Sequence, residues 1–166
     1  MKIFLIGMPG SGKTTFGREL ASRLMVEFVD LDAEIEKAEQ KSISEIFREN
    51  GEEYFRLLEA RLLREWAARA LPFVMATGGG APCFHRGMET INEYGISIFL
   101  DFAVPVLMER VRRNQERPLL LTSDEKELAE KLERMRTQRL DCYRKAKIVL
   151  ENPTLESLLK NIHAKK

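Results

Sequence analysis

Short apolar runs alternate with longer amphipathic stretches along the whole chain. Residues 3–6, 28–29, 73–76, 96–100 and 148–150 are apolar runs of strand length. Between them, apolar side chains recur at helical spacing. Phe16, Leu20, Ala21 and Leu24 form one such stripe, and Phe55, Leu58, Leu62 and Trp66 a second. Val104, Leu107, Met108 and Val111 give a third, Leu128, Leu132 and Met135 a fourth, and Leu155, Leu158, Leu159 and Ile162 a fifth.

The punctuation fits this alternation. The second strand ends at Asp30-Leu31-Asp32, with a helix expected from about Ala33. Ser42-Ile43-Ser44-Glu45 reads as a capping box opening another helix, which Gly51 then interrupts. Asn152-Pro153 is expected to cap the last helix. Residues 112–126 alone are rich in charge and poor in periodicity. Five strands separated by helices predict an α/β fold, a three-layer α/β/α sandwich with a five-stranded parallel sheet. Ligands of such sheets sit beyond the carboxyl ends of the strands.

The first strand runs into Gly7-Met8-Pro9-Gly10-Ser11-Gly12-Lys13-Thr14, which matches the phosphate-binding loop G-x-x-x-x-G-K-[ST] at every position. Strand, glycine-rich turn and helix are the setting the motif requires. Glycine permits the backbone to approach an anion closely. Successive N–H groups and the positive end of the following helix then point at phosphate. Lys13 is placed to reach the β- and γ-phosphates, and the Thr14 hydroxyl to ligate Mg²⁺. The chain is therefore expected to bind a nucleoside triphosphate on a P-loop nucleoside triphosphate hydrolase fold.

Composition narrows the partners. With 166 residues, a single domain spanning 1–166 is expected. Lys plus Arg is 27 against 26 for Asp plus Glu, so no overall field draws the chain to nucleic acid or membrane. Met1-Lys2 leads straight into the first strand, so no secretion signal is expected, and no apolar run reaches membrane-spanning length. Two cysteines, Cys83 and Cys142, are too few for a disulfide framework and read as reduced thiols in a cytoplasmic protein. Cys83 with His85 is too small a cluster to define a metal site.

Further candidates follow the other strands. Asp30 and Asp32 suit a water-mediated Mg²⁺ contact and acceptance of a proton from an attacking hydroxyl. Helix capping is the alternative role for Asp32. Gly78-Gly79-Gly80 marks a place where backbone approaches something closely, or else a tight turn before Ala81-Pro82. Arg56 lies beside the second apolar stripe, with Glu59 one turn on. Arg139 continues the Leu128, Leu132, Met135 series into an inward slot, where an arginine needs an anion: a ligand carboxylate or phosphate, or an internal glutamate. Arg117-Pro118-Leu119-Leu120 is either a solvated loop or a closing segment that brings an arginine to a phosphate.

In this order, the phosphate loop, Asp30-x-Asp32, Phe55-Arg56-x-x-Glu59, Gly78-Gly79-Gly80, Arg117-Pro118-Leu119-Leu120 and Arg139-x-x-x-Tyr143 resemble the shikimate kinase family. That family belongs to the nucleoside-monophosphate-kinase-like superfamily, and the resemblance runs from Lys2 to the last helix. It implies transfer of the γ-phosphate of Mg-ATP to the 3-hydroxyl of shikimate, giving shikimate 3-phosphate and ADP on the way to chorismate and the aromatic amino acids. It implies ATP contacts from Gly10, Ser11, Gly12, Lys13, Thr14, Thr15, Arg113, Arg117 and Pro153, with Arg113 and Pro153 flanking adenine. By the same resemblance, Thr14 is expected to ligate one Mg²⁺, with Asp30 near it through water. Asp32, Arg56, Gly78, Gly79, Gly80 and Arg139 are expected to bind shikimate, the two arginines taking its carboxylate. Lys13, Asp32 and Arg117 are the catalytic set that it implies. The resemblance also implies substrate-binding helices over about 31–60, a mobile lid over about 113–126, and a monomer.

Only Asn114-Gln115-Glu116 separates Arg113 from Arg117, shorter than in many relatives, and the segment after Leu120 is unusually charged. Other readings of the same residues are a gluconate-type kinase, an adenylate-kinase-like enzyme, and a non-catalytic nucleotide-binding module.

Overall fold

The computed structural model describes residues 1–113 and 124–165. Five strands, β1 (Lys2–Ile6), β2 (Glu27–Asp30), β3 (Phe73–Ala76), β4 (Ile96–Asp101) and β5 (Ile148–Glu151), form one sheet in the order β2-β3-β1-β4-β5. Every neighbouring pair is parallel. Seven α-helices among the described residues complete the layers. They are α1 (Lys13–Leu24), α2 (Leu31–Glu39), α3 (Ile43–Ala67), α4 (Gly87–Tyr94), α5 (Val104–Arg113), α6 (Glu125–Tyr143) and α7 (Leu155–His163). The α/β architecture read from the sequence is the one observed.

A parallel sheet covered on both faces needs strands that are apolar throughout. β3 is buried at all four positions, and β1 and β4 in their interiors. Phe73 joins two layers, lying edge-on to Phe4 at 5.4 Å and to Trp66 of α3 at 5.9 Å. Consecutive β3 and β4 lie on opposite sides of β1, so the direction of winding reverses there. This reversal opens a crevice at the carboxyl end of the sheet. The loop after β1, the aspartates after β2 and the glycines after β3 all meet in it.

Several boundaries differ from expectation for identifiable reasons. α2 starts at Leu31 rather than Ala33, because the Asp30 side chain caps it, accepting from the Asp32 N–H at 3.1 Å. Asp32 is thereby a first-turn residue and not the cap. α7 is capped by Thr154, reciprocally bonded with Ser157, and not by Asn152-Pro153. Asn152 instead takes a left-handed conformation (φ 45°) and donates its N–H to the Asp101 carbonyl at 2.8 Å. The capping box at Ser42 and Glu45 forms as read, and Gly51 breaks α3 with φ 83° and ψ 174°. α4 had no sequence signal, since its N-cap is Arg86 at φ 62° with no side-chain cap and it is only eight residues long.

Candidate active site

The phosphate loop is built almost wholly from its own stretch of chain. Gly10 and Gly12 take φ of 82° and 84°, a region that costs L-residues energy. The Ser11 N–H donates to the Met8 carbonyl at 3.1 Å, closing the turn. Lys13 folds back over the loop, donating to the carbonyls of Gly7 at 2.9 Å and Met8 at 3.0 Å. Ser11 is fully buried, yet its Oγ has no partner among the described residues. A buried hydroxyl left in this way is costly, and a phosphate oxygen would satisfy it. Thr14 and the exposed Thr15 open α1 behind the loop.

Thr14 Oγ1 donates to Asp30 Oδ2 at 3.0 Å, joining α1 to the end of β2. Two hard oxygen ligands at the mouth of a phosphate loop suit Mg²⁺, which takes few protein ligands and completes its shell with phosphate and water. No cluster of three or more His, Cys, Asp or Glu exists among the described residues, and this ion does not require one. A cleft of ≈ 230 Å³ lies directly here, lined by Lys13, Thr14, Asp30, Asp32, Thr77, Gly79 and neighbours including Glu36. Sequence reasoning missed Glu36, whose Oε1 also accepts the Ile43 N–H at 3.0 Å and so ties α2 to the start of α3.

The other half of the crevice is assembled from distant elements. Arg56 of α3 is buried and donates to Glu59 Oε1 at 2.8 Å, with Glu52 at 3.4 Å on its other side. The Arg56 guanidinium also lies 4.4 Å from the centre of the Phe84 ring. Glu59 is as buried as its partner, and its second oxygen, Oε2, has no partner among the described residues. Burial pushes the Glu59 carboxyl up to about 7, against the charge of Arg56, and Asp32 pushes it the same way. Arg139 of α6 is half-buried and makes no ion pair among the described residues. The internal glutamate partner that its inward slot allowed is therefore absent among them.

Gly78, Gly79 and Gly80 explain why these charges can converge. None of the three has a positive φ, so space rather than backbone conformation demands glycine here. A methyl group on Gly78 would sit 2.5 Å from Glu59 Oε2 and 3.0 Å from Asp32 Oδ1. On Gly79 it would sit 2.9 Å from Arg139 Nη1, and on Gly80 it would overlap the Arg56 guanidinium. Tyr143 fixes the turn by donating its hydroxyl to the Gly79 carbonyl at 2.6 Å. A second cleft, ≈ 260 Å³, opens between α3 and α6, with Arg56, Arg139, Arg134 and Lys131 on its walls.

The remaining expected residues divide. Arg117 lies outside the described residues, as does most of the segment read as a lid. At its described ends, Arg113 closes α5, while residues 124–126 form the cap and first turn of α6. Arg112 and Glu125 form an ion pair that bridges the two helices. Arg113 is exposed and held by Glu109 at 2.6 Å. Arg110 lies on the phosphate loop instead, donating to the Gly10 carbonyl at 3.3 Å and stacking 4.2 Å from Phe102. Pro153 is buried between β5 and α7. Arg136 pairs with Asp101 at 2.9 Å, binding α6 to the end of β4. Neither Arg110 nor Arg136 stood out in the sequence, because arginines on amphipathic helices carry no mark of their partner.

A five-stranded parallel sheet, a phosphate loop and a facing pocket of paired arginine and carboxylate side chains define a P-loop small-molecule kinase. Comparison with known proteins sharpens this. The family model for shikimate kinase matches residues 9–163. The shikimate kinase of Phocaeicola vulgatus is 40% identical over 93% of this chain and 89% of its own length. That of Bacteroides fragilis is 41% identical over 90% of this chain and 83% of its own length. Among solved structures, shikimate kinase from Bacteroides thetaiotaomicron superimposes with a TM-score of 0.91 at 36% identity, covering 99% of this chain and 97% of that one. The Acinetobacter baumannii enzyme, solved with shikimate, also gives 0.91, at 34% identity and 99% and 94% coverage. The chain belongs to the shikimate kinase family.

Proposed function

We infer that the protein transfers the γ-phosphate of ATP to the 3-hydroxyl of shikimate, yielding shikimate 3-phosphate and ADP in the route to aromatic amino acids. Beside family membership, the observation that carries this reading is the convergence of Arg56, Glu59, Asp32 and Arg139 on the glycine turn, next to the phosphate loop. Shikimate has one carboxylate and vicinal hydroxyls. Arg139, without an ion-pair partner among the described residues, and Arg56, braced by two glutamates, offer planar donor forks for that carboxylate. Glycine at 78–80 leaves room for these charged side chains to converge.

In this reading Asp32 orients the 3-hydroxyl and accepts its proton as the oxygen attacks the γ-phosphorus. Lys13, with the Ser11 hydroxyl and the loop N–H groups from Gly10 to Thr15, holds the triphosphate and takes up charge on the transferring group. Arg117 supplies a second positive charge to that group, an assignment that comes from its sequence motif. Pro153, buried beneath the start of α7, and Arg113 are assigned to the adenine side on the same basis. Thr14 and, through water, Asp30 would hold Mg²⁺, which when bound neutralises phosphate charge. Little covalent work is left for the protein, and positioning supplies much of the acceleration.

Two free thiols fit a cytoplasmic enzyme. No helix among the described residues is long and apolar enough to cross a membrane. A monomer with a single kinase domain, closing over ATP with residues from about 113 to 126, completes the reading, and sedimentation of the purified protein tests the assembly state. The deciding assay is ADP release from Mg-ATP with shikimate, gluconate, AMP or no acceptor. Turnover specific to shikimate is expected. Activity with gluconate or AMP in its place would overturn the acceptor while leaving the phosphate site intact.

A further inference from the structure

The chain has two cysteines, and the fold brings them together at the acceptor side of the crevice. Cys83 ends the 3₁₀ turn (Ala81–Cys83) that follows the triple glycine, and Cys142 is the penultimate residue of α6. α6 packs directly on that turn, and Tyr143, the neighbour of Cys142, fastens it through the Gly79 carbonyl at 2.6 Å. The two thiols lie close enough to interact, and both are half-buried rather than sealed in the core. Their environments differ. The Cys142 thiol is held below its ordinary range, first by the hydrogen bond from Cys83 and then by the positive charges of Lys145 and Arg139. The Cys83 thiol is held up by that same bond and by burial, so it keeps its proton. A thiol biased towards ionisation beside one that holds its proton is the arrangement of a redox couple rather than of inert core cysteines.

We propose that Cys83 and Cys142 form a reversible disulfide that ties the glycine turn to α6 and thereby tunes the acceptor pocket. The oxidant is a hydroperoxide. The Cys142 thiolate attacks the terminal peroxide oxygen; the O–O bond breaks, and the departing oxygen takes a proton to leave as water or alcohol. The Cys83 sulfur, on losing its proton, attacks the resulting sulfenic sulfur; the S–O bond breaks, the S–S bond forms, and water leaves. Two electrons pass from the sulfurs to the peroxide, and a dithiol reductant reverses the change by exchange. Closing the bond brings the sulfurs to about 2 Å. It therefore pulls the turn carrying Gly79 and Gly80 against the helix carrying Arg139. The functional consequence rests on the reading that Arg139 and this turn bind shikimate.

The purified chain, reduced and then exposed to hydrogen peroxide, gives the test. Titratable thiols are expected to fall from two to none, the intact mass to drop by two hydrogens, and the peptides containing Cys83 and Cys142 to link within one chain. The KM for shikimate is expected to rise severalfold with the KM for ATP unchanged, and dithiothreitol is expected to restore both mass and KM. Cys83→Ser and Cys142→Ser, near-isosteric changes, should each keep the reduced-state kinetics and lose the oxidative response. Mass gain by oxygen addition alone, disulfide-linked dimers, or two persistent thiols would overturn the proposal. An internal disulfide that leaves the shikimate KM unmoved would overturn the tuning. Reduced enzyme without shikimate turnover would strike the acceptor assignment instead, and the mass measurement would still decide the disulfide.

Discussion

On the proposed reading, the two halves of the crevice hold their anions in opposite ways. The phosphate side uses one uninterrupted stretch of chain, with backbone N–H groups, a helix terminus and glycines chosen for their φ. The acceptor side uses side-chain charge drawn from α2, α3 and α6 around glycines chosen for space. Backbone dipoles are always present and cost nothing to desolvate again. Buried guanidinium and carboxylate groups must be balanced against each other before any substrate arrives. The acceptor half is thus specific, and it is also the half that packing and pH can disturb.

Substitutions can break or sharpen that contrast. The largest effect is expected at Arg117→Ala, where turnover should fall about 10³-fold, by analogy with arginine fingers, while the KM for ATP stays nearly fixed. Unchanged turnover in steady-state assays would remove Arg117 from the mechanism. Asp32→Asn keeps the size of the side chain and loses its charge. Turnover should drop by roughly 10²-fold or more without loss of ATP affinity, the scale of a lost general base.

The two arginines should then part company. Arg139→Ala is expected to raise the shikimate KM by about 10- to 100-fold, the worth of a charge-assisted contact, with little change in urea midpoint. Arg56→Ala should raise the KM as well, and also destabilise the fold by about 3 kcal/mol, because it strands Glu59 as a buried carboxylate. Equal stability losses in both variants would end the distinction between an arginine held in an ion pair and one that makes none among the described residues.

Glu59 gives a pH signature. Its folded value, about 7, lies above the ordinary 4.5, so the native state binds the proton more tightly than the unfolded chain does. The stability this contributes is fully present below about 4.5 and is lost as pH rises through about 7. Between pH 5 and 8 the wild-type advantage over Glu59→Gln in urea unfolding should shrink as pH rises; parallel profiles for the two would refute it. The smallest effect concerns the glycines. Gly80→Ala should be destabilising mainly in the presence of Arg56, whose guanidinium it would meet, and nearly additive strain in the Arg56→Ala background would contradict that. Gly12→Ala, strained by roughly 1–2 kcal/mol through its φ, should be indifferent to that background.

Legibility in the sequence followed the same division. The phosphate loop was readable because its eight residues are contiguous and their spacing is dictated by backbone geometry. The strands were readable because full burial demands unbroken apolar runs, and the Ser42 cap because its partner is three residues away. Arg56 with Glu59 was readable as an i,i+3 pair, but its burial was not. Arg139 could be placed inward by helical spacing, while the absence of an ion-pair partner among the described residues could only be seen once α3, α6 and the glycine turn were packed. The cap of α7 was misplaced by two residues because Asn152-Pro153 resembles a helix start locally, whereas Asn152 answers to the Asp101 carbonyl across the sheet.

By itself, then, the sequence determined what depends on near neighbours: the alternating elements, the nucleotide loop, and the ordered motifs that mark the family. Tertiary structure alone decided which charges confront one another. It set Glu59 between Arg56, Asp32 and Arg139, laid Arg110 on the phosphate loop, and brought Cys83 near Cys142. The physical reason is range. Dihedral preference and helical period act over a few residues, whereas desolvation and Coulomb energy depend on distance in space, which a parallel sheet with long crossovers fixes only when the layers close.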